Sequence, residues 1–317
     1  MAIKYYFRKK TILGKKETTY GVDASPAPAT DAVRTLDFSI QPFNAEAIQS
    51  NEDKTMPGAD AAVLVGRSVQ CSFGVFLASA GTAGEFPAHD FLLAGVGYVG
   101  EQDNVTTPTL VKYTQAFPVT DSITFYFELD GKLHKFTGSR GSLEIVNEKR
   151  SFPRMNFTFT GKFEPVAASA IDTSLVDKSA WLKALPFRAA TLAATFFGQP
   201  VAAHRITVTS GETVNFRETS EEETIEVDDR EGSYSMVFDE PDIDTFDFWG
   251  KTTGEDTGEL AYVHGTEAGK IVEVKALKAQ ITSITNTDEQ GGAALDVSGP
   301  AIADSSNAFK PIELIFR

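Results

Sequence analysis

Residues 131–161 read GKLHKFTGSRGSLEIVNEKRSFPRMNFTFTG, and their pattern recurs 138 residues later, at 269–299, as GKIVEVKALKAQITSITNTDEQGGAALDVSG. Few residues are identical, but the glycines at both ends and most apolar positions coincide under this constant, gapless shift. In each copy a turn opens a strand, a second strand follows, and a polar tip precedes a closing strand of alternating residues. Self-similarity at a fixed spacing is typical of repeated units. The sequence therefore predicts a duplicated β-domain, the alternative being that alternating strands share a register by chance.

The length of the chain, 317 residues, is sufficient for two domains that each bury a core. We expect a first domain at residues 1–166, a linker rich in Ala, Ser and Asp at 167–186, and a second domain at 187–317. The fold class is predicted to be all-β, with two similar antiparallel sandwiches or barrels that each carry one short flanking helix. The helices are predicted at 88–94 and 242–249, an offset of 154 residues. The first domain must therefore hold extra residues between its helix and Gly131.

Charge and composition limit the classes of function. The net charge is −15, of which residues 1–165 carry −1 and residues 166–317 carry −14. An acidic surface does not bind nucleic acid by neutralising phosphates. Cys71 is the only cysteine, which excludes an intrachain disulfide and a thiolate metal cluster. The first ten residues lack the apolar core of a secretory signal and no stretch is apolar enough for a bilayer, so we expect cytoplasmic synthesis and no membrane partner.

Motifs that mark cofactors, metals or catalysis lack their structural context. Residues 95–100 (GVGYVG) have the letters of a dinucleotide-binding loop, but a helix is predicted before them instead of after them. The carboxylate runs at 221–229 and 239–247 lack the glycine and closing glutamate of an EF-hand loop, which leaves an opportunistic divalent ion as a minor alternative. The four histidines are scattered, without metal-ligand spacing. We expect no enzymatic activity, no cofactor and no metal site.

Five segments resemble the tail tube (major tail) proteins of long, non-contractile-tailed bacteriophages and related prophages. In the first half they are LASAGTAGEFPAHDFLLAGVGY (77–98), ITFYFELDGKLHKFTGSRGSLEI (123–145) and PRMNFTFTGKFEPV (153–166). In the second half ETIEVDDREGSYSMVFDEP (223–241) and ELAYVHGTEAGKIVEV (259–274) resemble the longer, two-domain members of that group. These motifs are structural turns and strands and not catalytic signatures.

The resemblance implies a structural virion protein. Subunits of the family join their sheets edge to edge into rings, and the rings stack into a hollow tube through which the genome passes into the host. A two-domain member implies a homotrimeric ring with pseudo-sixfold symmetry. The implied partners are further copies of the chain, the tape measure protein, the tail terminator and the distal tail or baseplate proteins. Viral DNA is expected to pass through without specific binding.

Two sets of residues are predicted to serve the tube. The polar, small-residue segment at 43–66 and the basic segment at 4–16 are expected to reach the neighbouring ring, because a long loop in a compact domain is usually functional. The inter-ring candidates are Lys9, Lys10, Asn51, Glu52, Asp53, Lys54 and Met56. An acidic bore would repel DNA and let it slide. The candidates for acidic residues in the lumen are Glu218, Glu221, Glu222, Glu223, Glu226, Asp228 and Asp229, although a charge run is usually a solvated face.

Other classes of function remain open at this point. One is another self-assembling β-protein of a tail or secretion tube. A carbohydrate-binding, adhesin-like protein would need exposed aromatic platforms, whereas Trp181 and Trp249 fall in the predicted linker and helix. A metal-dependent hydrolase would need clustered ligands, and the scattered histidines argue against it.

Overall fold

The computed structural model describes residues 9–50, 52–53, 55–56, 58–107, 109–169 and 171–317. Its regular structure is almost entirely β-strand, and the strand pairs in its sheets are antiparallel. The prediction of an all-β fold with two short flanking helices is therefore confirmed.

The elements follow one another in two series. The first half contains β1 (Lys10–Lys16), β2 (Leu36–Gln49), β3 (Ala62–Phe76), α1 (Asp90–Gly95), β4 (Tyr98–Asp103), β5 (Leu110–Gln115), β6 (Ile123–Leu129), β7 (Lys132–Glu148), β8 (Arg154–Phe163) and β9 (Ala167–Ala168). The second half contains β10 (Leu192–Phe196), β11 (Gln199–Val201), β12 (Ala203–Thr209), β13 (Glu212–Glu218), β14 (Glu223–Arg230), β15 (Ser233–Asp239), α2 (Phe248–Thr253), β16 (Thr257–His264), β17 (Val272–Gln280), β18 (Ser283–Glu289), β19 (Gly292–Pro300) and β20 (Ile312–Phe316).

Two large sheets and one separate hairpin make up the fold. The main sheet has an eight-strand path in the order β18-β19-β15-β12-β7-β8-β3-β2, and β6, β1 and β9 branch from β7. The second sheet has the order β11-β10-β16-β17-β20-β5-β4, and β13 pairs with β14 alone. One hydrophobic cluster contains buried side chains of both large sheets and both helices.

The main sheet has one apolar and one polar face because its strands alternate. In β8, Met155, Phe157 and Phe159 are buried, whereas Asn156 and Thr158 between them are only half-buried. Successive residues of a strand point to opposite faces. Burying one such phenylalanine stabilises the fold by about 1.5–3 kcal/mol. The apolar face meets the core, and the polar face is left on the other side of the sheet.

The two halves place corresponding strands in corresponding positions. In the first half β2 pairs with β3, β3 with β8 and β8 with β7; we call these four strands unit 1. In the second half β12 pairs with β15, β15 with β19 and β19 with β18; we call these four strands unit 2. In the same way β1 and β6 correspond to β10 and β16. The division of the chain at 166 and 187 stays a prediction, because the main sheet runs through both halves.

The shift between the units is not constant, so the gapless match is wrong. Gly161 lies opposite Val69 and Gly299 opposite Tyr234, at equivalent places in β8 and β19, which agrees with a shift of 138. Gly141 lies opposite Phe159, and Ile284 opposite Val297, so β7 and β18 are 143 residues apart. Between the last paired residues, the connection from Val146 to Arg154 is therefore five residues longer than the connection from Glu289 to Gly292. Alternation has a period of two and does not record turn length, so the sequence pattern could not reveal this.

The extra residues predicted between the first helix and Gly131 form the β4–β5 hairpin. This hairpin follows α1 directly, and no pair of strands stands between α2 and β16 in the second half. Glu313 to Phe316 of β20 pair with β5, so the extra hairpin extends the second sheet. The insertion therefore ties the first half of the chain to the last strand of the second.

The predicted second helix lies too early in the chain. Residues 242–249 were expected to be helical, but α2 begins at Phe248, while α1 lies close to its predicted position at 88–94. The side chain of Asp247 accepts a hydrogen bond from the backbone N–H of Gly250 (2.7 Å) and thereby caps α2. Asp242 only closes a local turn through Asp244 N–H. Both aspartates are good caps, and the sequence did not distinguish between them.

The long loop predicted at 43–66 is largely a hairpin. β2 extends to Gln49 and β3 begins at Ala62, and these two residues pair. The pattern concealed these strand ends because both faces of the hairpin are exposed, so apolar and polar residues do not alternate cleanly. The basic segment is also part of the sheet from Lys10 onward, since β1 pairs along β6 within the chain. Its contact with the neighbouring ring stays a prediction.

Candidate assembly surfaces

A strand junction inside the chain joins unit 1 to unit 2. β12 pairs with β7 from Arg205 opposite Glu148 to Thr209 opposite Glu144. Backbone bonds continue past both ends of this ladder, from Lys149 N–H to His204 O (2.9 Å) and from Ser210 N–H to Leu143 O (2.9 Å). The eight-strand path is therefore two similar four-strand sheets placed side by side.

The outer edges of this path are the counterparts of the strands that form the junction. Among the described strands, β18 has β19 as its only partner and β2 has β3. Their places match those of β7 and β12 in the other unit. Exposed strand edges template association with another chain unless they are blunted. The two edges are thus complementary to each other and not to themselves, which is the requirement for a head-to-tail contact.

A hairpin arm of the second half lies across the first half. We call residues 210–232, which contain β13 and β14, arm 2. Ile225 of arm 2 is fully buried; its carbonyl oxygen accepts a hydrogen bond from Arg140 Nη1 (2.7 Å) and its N–H donates to the hydroxyl of Tyr20 (2.5 Å). Phe216, opposite Ile225 in the hairpin, lies against Gly66 at the start of β3. Arm 2 therefore crosses β7, β8 and β3, away from its own unit.

The support beneath arm 2 depends on a buried carboxylate. Glu17 accepts four hydrogen bonds at 2.6–2.7 Å, from Gly21 N–H, Ser122 Oγ, Thr124 Oγ1 and Gly138 N–H. These bonds hold the loop after β1 against the irregularity in β7. The loop in turn presents the ring of Tyr20 to the cationic groups of Arg140 and Lys162, 4.8 and 5.1 Å from its centroid. Such cation–π contacts stabilise by roughly 0.5–1 kcal/mol at partly exposed sites.

A second arm, residues 43–66, is the continuation of β2 and β3; we call it arm 1. Ile48 lies opposite Val63 in this hairpin, and the two side chains are 52% and 66% exposed. The ladder is irregular between Gln41 and Glu46, where arm 1 leaves the main sheet, and Gly66 has a φ of +62°. Arm 1 thus carries an exposed apolar pair beyond an irregular root.

The polar face of the main sheet is concave near the turn between β7 and β8. Lys149 forms an ion pair with Glu289 of β18, although three strands separate β18 from β7. In a flat sheet that separation is roughly 19 Å, beyond the reach of the two side chains. The arginines of this face have carboxylate neighbours, Arg205 with Asp296 and Arg154 with Asp37, both at 3.6 Å. The face is therefore curved inward, hydroxyl-rich and mixed in charge.

A family model described as phage tail tube protein matches residues 8–310, nearly the whole chain. The chain belongs to this family. No curated protein matches the sequence. Membership of the family makes the chain a structural component of the virion that assembles into a tail tube, together with other tail proteins. The resemblance seen in the sequence is thereby confirmed.

The acidic lumen candidates of the tail tube chain lie together on arm 2. Glu218 and Glu223 pair at its end, and Glu221 and Glu222 form the turn. Glu226 contacts Arg217 (3.0 Å), and Asp228 accepts a hydrogen bond from Asn215 (2.6 Å), beside Asp229. None of these residues belongs to the strands that form the polar face of the main sheet. Their place in the bore stays a prediction.

Those predicted inter-ring residues of the tail tube chain that the structure describes lie in two separate places, the end of arm 1 and the start of β1. Glu52, Asp53 and Met56 are exposed near the end of arm 1, whereas Asn51 and Lys54 lie outside the described residues. Lys9 lies 3.4 Å from Asp130, and Lys10 donates to the carbonyl oxygen of Phe38 (3.1 Å). Both lysines are thus engaged within their own subunit, far along the chain from arm 1.

The motifs weighed in the sequence have structural roles. Residues 95–100 run from the end of α1 into β4, so no helix N-terminus follows the glycines. Burial lowers the pKa of His89 to about 3, and His204 Nε2 lies 2.6 Å from Asp239 Oδ1. Within the described residues no three His, Cys, Asp or Glu side chains are grouped to hold a metal ion. The two α-helices have six residues each, and no described helix is long and apolar enough to cross a membrane.

The sequence patterns do not reveal the β12–β7 junction or the surface on which arm 2 docks. The residue patterns at 213–217 and 224–227 predict the two strands of arm 2, but nothing in them indicates that these strands cross the other half of the chain. The one available signal was the alternation of Val214 and Phe216 with Thr213, Asn215 and Arg217, which shows that a small hairpin has a face to bury.

Proposed function

We propose that three copies of this tail tube protein close into a ring by pairing β2 of one subunit with β18 of the next. The observation that carries the proposal is the β12–β7 junction, which joins the two units of one chain in this way. A head-to-tail contact between identical subunits closes a ring when the rotation from one subunit to the next is a whole fraction of a full turn. Two units per chain then give six similar units around the axis.

The register of the new junction follows from the internal one. Ile206 and Ile40 are counterparts, because they lie opposite Met236 of β15 and Cys71 of β3. Leu143 and Asn286 are counterparts, because they lie opposite Phe157 and Leu295. Since Thr209 pairs with Glu144 inside the chain, Phe43 is expected opposite Thr287 of the neighbour. Pro42 lies on the free edge of β2 in the isolated chain, where proline is tolerated, and it has no N–H to donate to the neighbour, so the new ladder lacks one hydrogen bond there.

The dimensions of the closed sheet suit a conduit. Three eight-strand paths make a barrel of 24 strands. At roughly 4.8 Å between strands its circumference is about 115 Å and its diameter about 37 Å before strand tilt widens it. Barrels with fewer strands already enclose water-filled channels. The concave polar face lines the bore, and the apolar face points outward to the core.

The polar face supports passage of DNA without retention. Retention of DNA by neutralisation of phosphates requires many lysine or arginine contacts. Thr158, Thr207 and Ser298 are typical of this face, and the arginines near them have carboxylate neighbours. We propose that rings stack through the ends of arm 1 into the tube for genome ejection, with the tape measure, terminator and distal tail or baseplate proteins as its partners in the tail.

The edge pairing is tested at Asn286. Leu143, its counterpart, directs its N–H toward the β12 side of β7, where Glu212 Oε2 accepts at 3.3 Å. Asn286→Pro removes the corresponding donor from the edge of β18. Asn286→Ala is the matched control, because it also removes the side-chain bond to Glu240 and keeps the backbone donor.

Native mass spectrometry and negative-stain microscopy provide the measurements. The unaltered protein and Asn286→Ala are expected to give rings of three copies, and Asn286→Pro to give folded monomers. Rings of six copies would contradict the trimer. Intact rings of folded Asn286→Pro would contradict pairing through β18.

A further inference from the structure

We propose that arm 1 of each subunit docks in a groove on unit 2 of the next subunit within the same ring. The groove has a volume of about 550 Å³ and is lined by Glu231, Gly232, Thr282, Gly299 and Pro300, among others. This inference rests on the ring assembly proposed above. It assigns an occupant to the groove and a docking position to the exposed pair Ile48 and Val63.

The two arms are counterparts in the chain. Each connects the first two strands of its unit, β2 to β3 or β12 to β15. Cys71 follows Ile40 by 31 positions, and Met236 follows the equivalent Ile206 by 30. Each arm is a hairpin with a cross-strand apolar pair at the equivalent place in its ladder, Ile48 opposite Val63 in arm 1 and Val214 opposite Val227 in arm 2. Arm 1 therefore has the length of arm 2, and its exposed Val63 corresponds to Val227, which is buried in the docked arm 2.

The groove is the counterpart of the surface beneath arm 2. Arm 2 lies over the end of β8 near Lys162, over β7 near Arg140, and against Gly66 in the first part of β3. The shift is 138 residues from β8 to β19, 143 from β7 to β18 and 165 from β3 to β15. With these shifts Lys162 corresponds to Pro300, Arg140 to Ser283 and Gly66 to Glu231. Pro300 and Glu231 line the groove, and Ser283 follows Thr282 of its lining. The groove thus lies where pseudosymmetry places an arm.

The occupant comes from a second copy because of the direction in which arm 2 crosses. Arm 2 leaves β12, passes the junction and lies on β7, β8 and β3 of the adjoining unit. Arm 1 leaves β2, which is the outer edge of unit 1. Unit 2 of the same chain lies beyond the opposite edge of unit 1, which β7 forms. Across the proposed β2–β18 contact, the adjoining strands are β18, β19 and β15 of the neighbour, which carry the groove.

Both arms leave the main sheet at a point that allows a bend. At the root of arm 2, Gly211 has a φ of +73°, and a Cβ there would lie 1.9 Å from the carbonyl oxygen of Glu231. Arm 1 has its ladder irregularities between Gln41 and Glu46 and the positive φ of Gly66 at the equivalent place. Docking removes the apolar surface of Ile48 and Val63 from water, which favours the contact.

Cross-linking in isolated rings tests the inference. Val227, the counterpart of Val63, lies two residues along β14 from Ile225, which contacts Arg140 and Tyr20, so Val63 should come within reach of Thr282 of the neighbour. The test protein carries Val63→Cys and Thr282→Cys and is treated with a short bis-maleimide. The control carries Leu64→Cys and Thr282→Cys, because Leu64 lies on the opposite face of the hairpin. Native Cys71 is buried, and burial raises its thiol pKa, so it stays unreactive.

The expected result is a ladder of covalent dimers and trimers that stops at three, formed faster by the Val63 protein than by the Leu64 control. Trimeric rings in native mass spectra without this link would overturn the docking of arm 1 and leave the proposed function intact. Links that form only in tubes and extend beyond three would show that Val63 meets a subunit of the next ring, which also overturns docking within one ring. Absence of any ring would overturn the proposed function and this inference with it.

Discussion

Arg230 and Glu212 form a buried ion pair at the root of arm 2, with Arg230 Nε 3.2 Å from Glu212 Oε1. Arg230 also donates to the carbonyl oxygens of Val96 (3.0 Å) and Ala116 (3.2 Å) in the first half of the chain. Ser210 Oγ donates to Glu212 Oε2 (2.7 Å). Burial raises the pKa of Glu212, and the charge of Arg230 opposes that shift. The pair therefore fixes the crossing of arm 2 over unit 1, the arrangement that the proposed ring would repeat between subunits.

Arg230→Met is expected to destabilise the monomer strongly. Removal of one partner leaves Glu212 as an uncompensated buried charge, which costs about 3–5 kcal/mol. The double variant Glu212→Leu/Arg230→Met, in which no charge remains, should recover much of that loss. Urea unfolding of the monomer gives the free energy of unfolding for each protein. A double variant that is as unstable as the sum of the single variants would show that the ion pair is not the cause.

Glu17→Ala is expected to lower the free energy of unfolding by at least about 3 kcal/mol. The substitution leaves four buried or half-buried donors without their carboxylate, and hydrogen bonds to a charged group contribute about 1.5–3 kcal/mol each. Glu101→Ala, an exposed glutamate on β4, is the control and should stay within about 0.5 kcal/mol of the unaltered protein. Equal effects of the two substitutions in urea unfolding would contradict the role of Glu17.

The alternation of apolar and polar residues was enough to predict the strands that build the core. Residues such as Phe73 and Phe159 have one face to bury, and a strand with a single buried face leaves a period of two in the sequence. The duplication was visible for the same reason, because Phe157 and Leu295 face equivalent parts of the core. The prediction succeeded where burial within one sheet dictates the residue type.

The assembly surfaces could not be predicted because their constraints come from elsewhere in the fold or from another subunit. Ile48 and Val63 are exposed within one chain, so the surrounding residues show no clean alternation and the segment looks like a polar loop. The docking of Ile225 depends on Tyr20 and Arg140, which are distant in sequence. The register of β18 depends on the length of a turn, to which a pattern of period two is blind.

Ring stacking is expected to depend on the end of arm 1. Replacement of residues 50–61 by an Asn-Gly turn keeps the hairpin, since Gln49 pairs with Ala62 and Asn-Gly suits a two-residue connection. It removes Glu52, Asp53 and Met56, which are exposed. Rings should form as before, whereas tubes should be absent in negative-stain images. The double substitution Glu52→Lys/Asp53→Lys, which retains the length of the arm, tests charge alone. Tubes of normal length from the shortened protein would show that this end does not join rings.

The charge of the bore should decide whether the tube releases DNA. Thr158 and Asp296 are equivalent positions on the polar face, since their neighbours Phe159 and Val297 correspond. Thr158→Lys/Asp296→Lys places six lysines at one level of a three-subunit ring and adds three positive charges per chain. Glu101→Lys/Val105→Lys adds the same charge at two exposed positions of the β4–β5 hairpin, on β4 and in the turn that follows it. Short duplex DNA should bind the first tubes and not the second, and affinity should fall steeply with salt because phosphate contacts release counterions.

Glu221→Lys/Glu222→Lys extends the same measurement to the end of arm 2, where the acidic lumen candidates lie. DNA retained on the axis of these tubes would place the end of arm 2 at the bore, because an outward-facing charge binds DNA only on the outer wall. Microscopy of the bound DNA separates the two positions, since a duplex in the bore lies on the tube axis. Equal binding by the Thr158→Lys/Asp296→Lys tubes and the outer control would show that the polar face of the main sheet does not line the channel. Retention by the first tubes alone would assign the bore to that face and leave the carboxylates of arm 2 on a solvated surface.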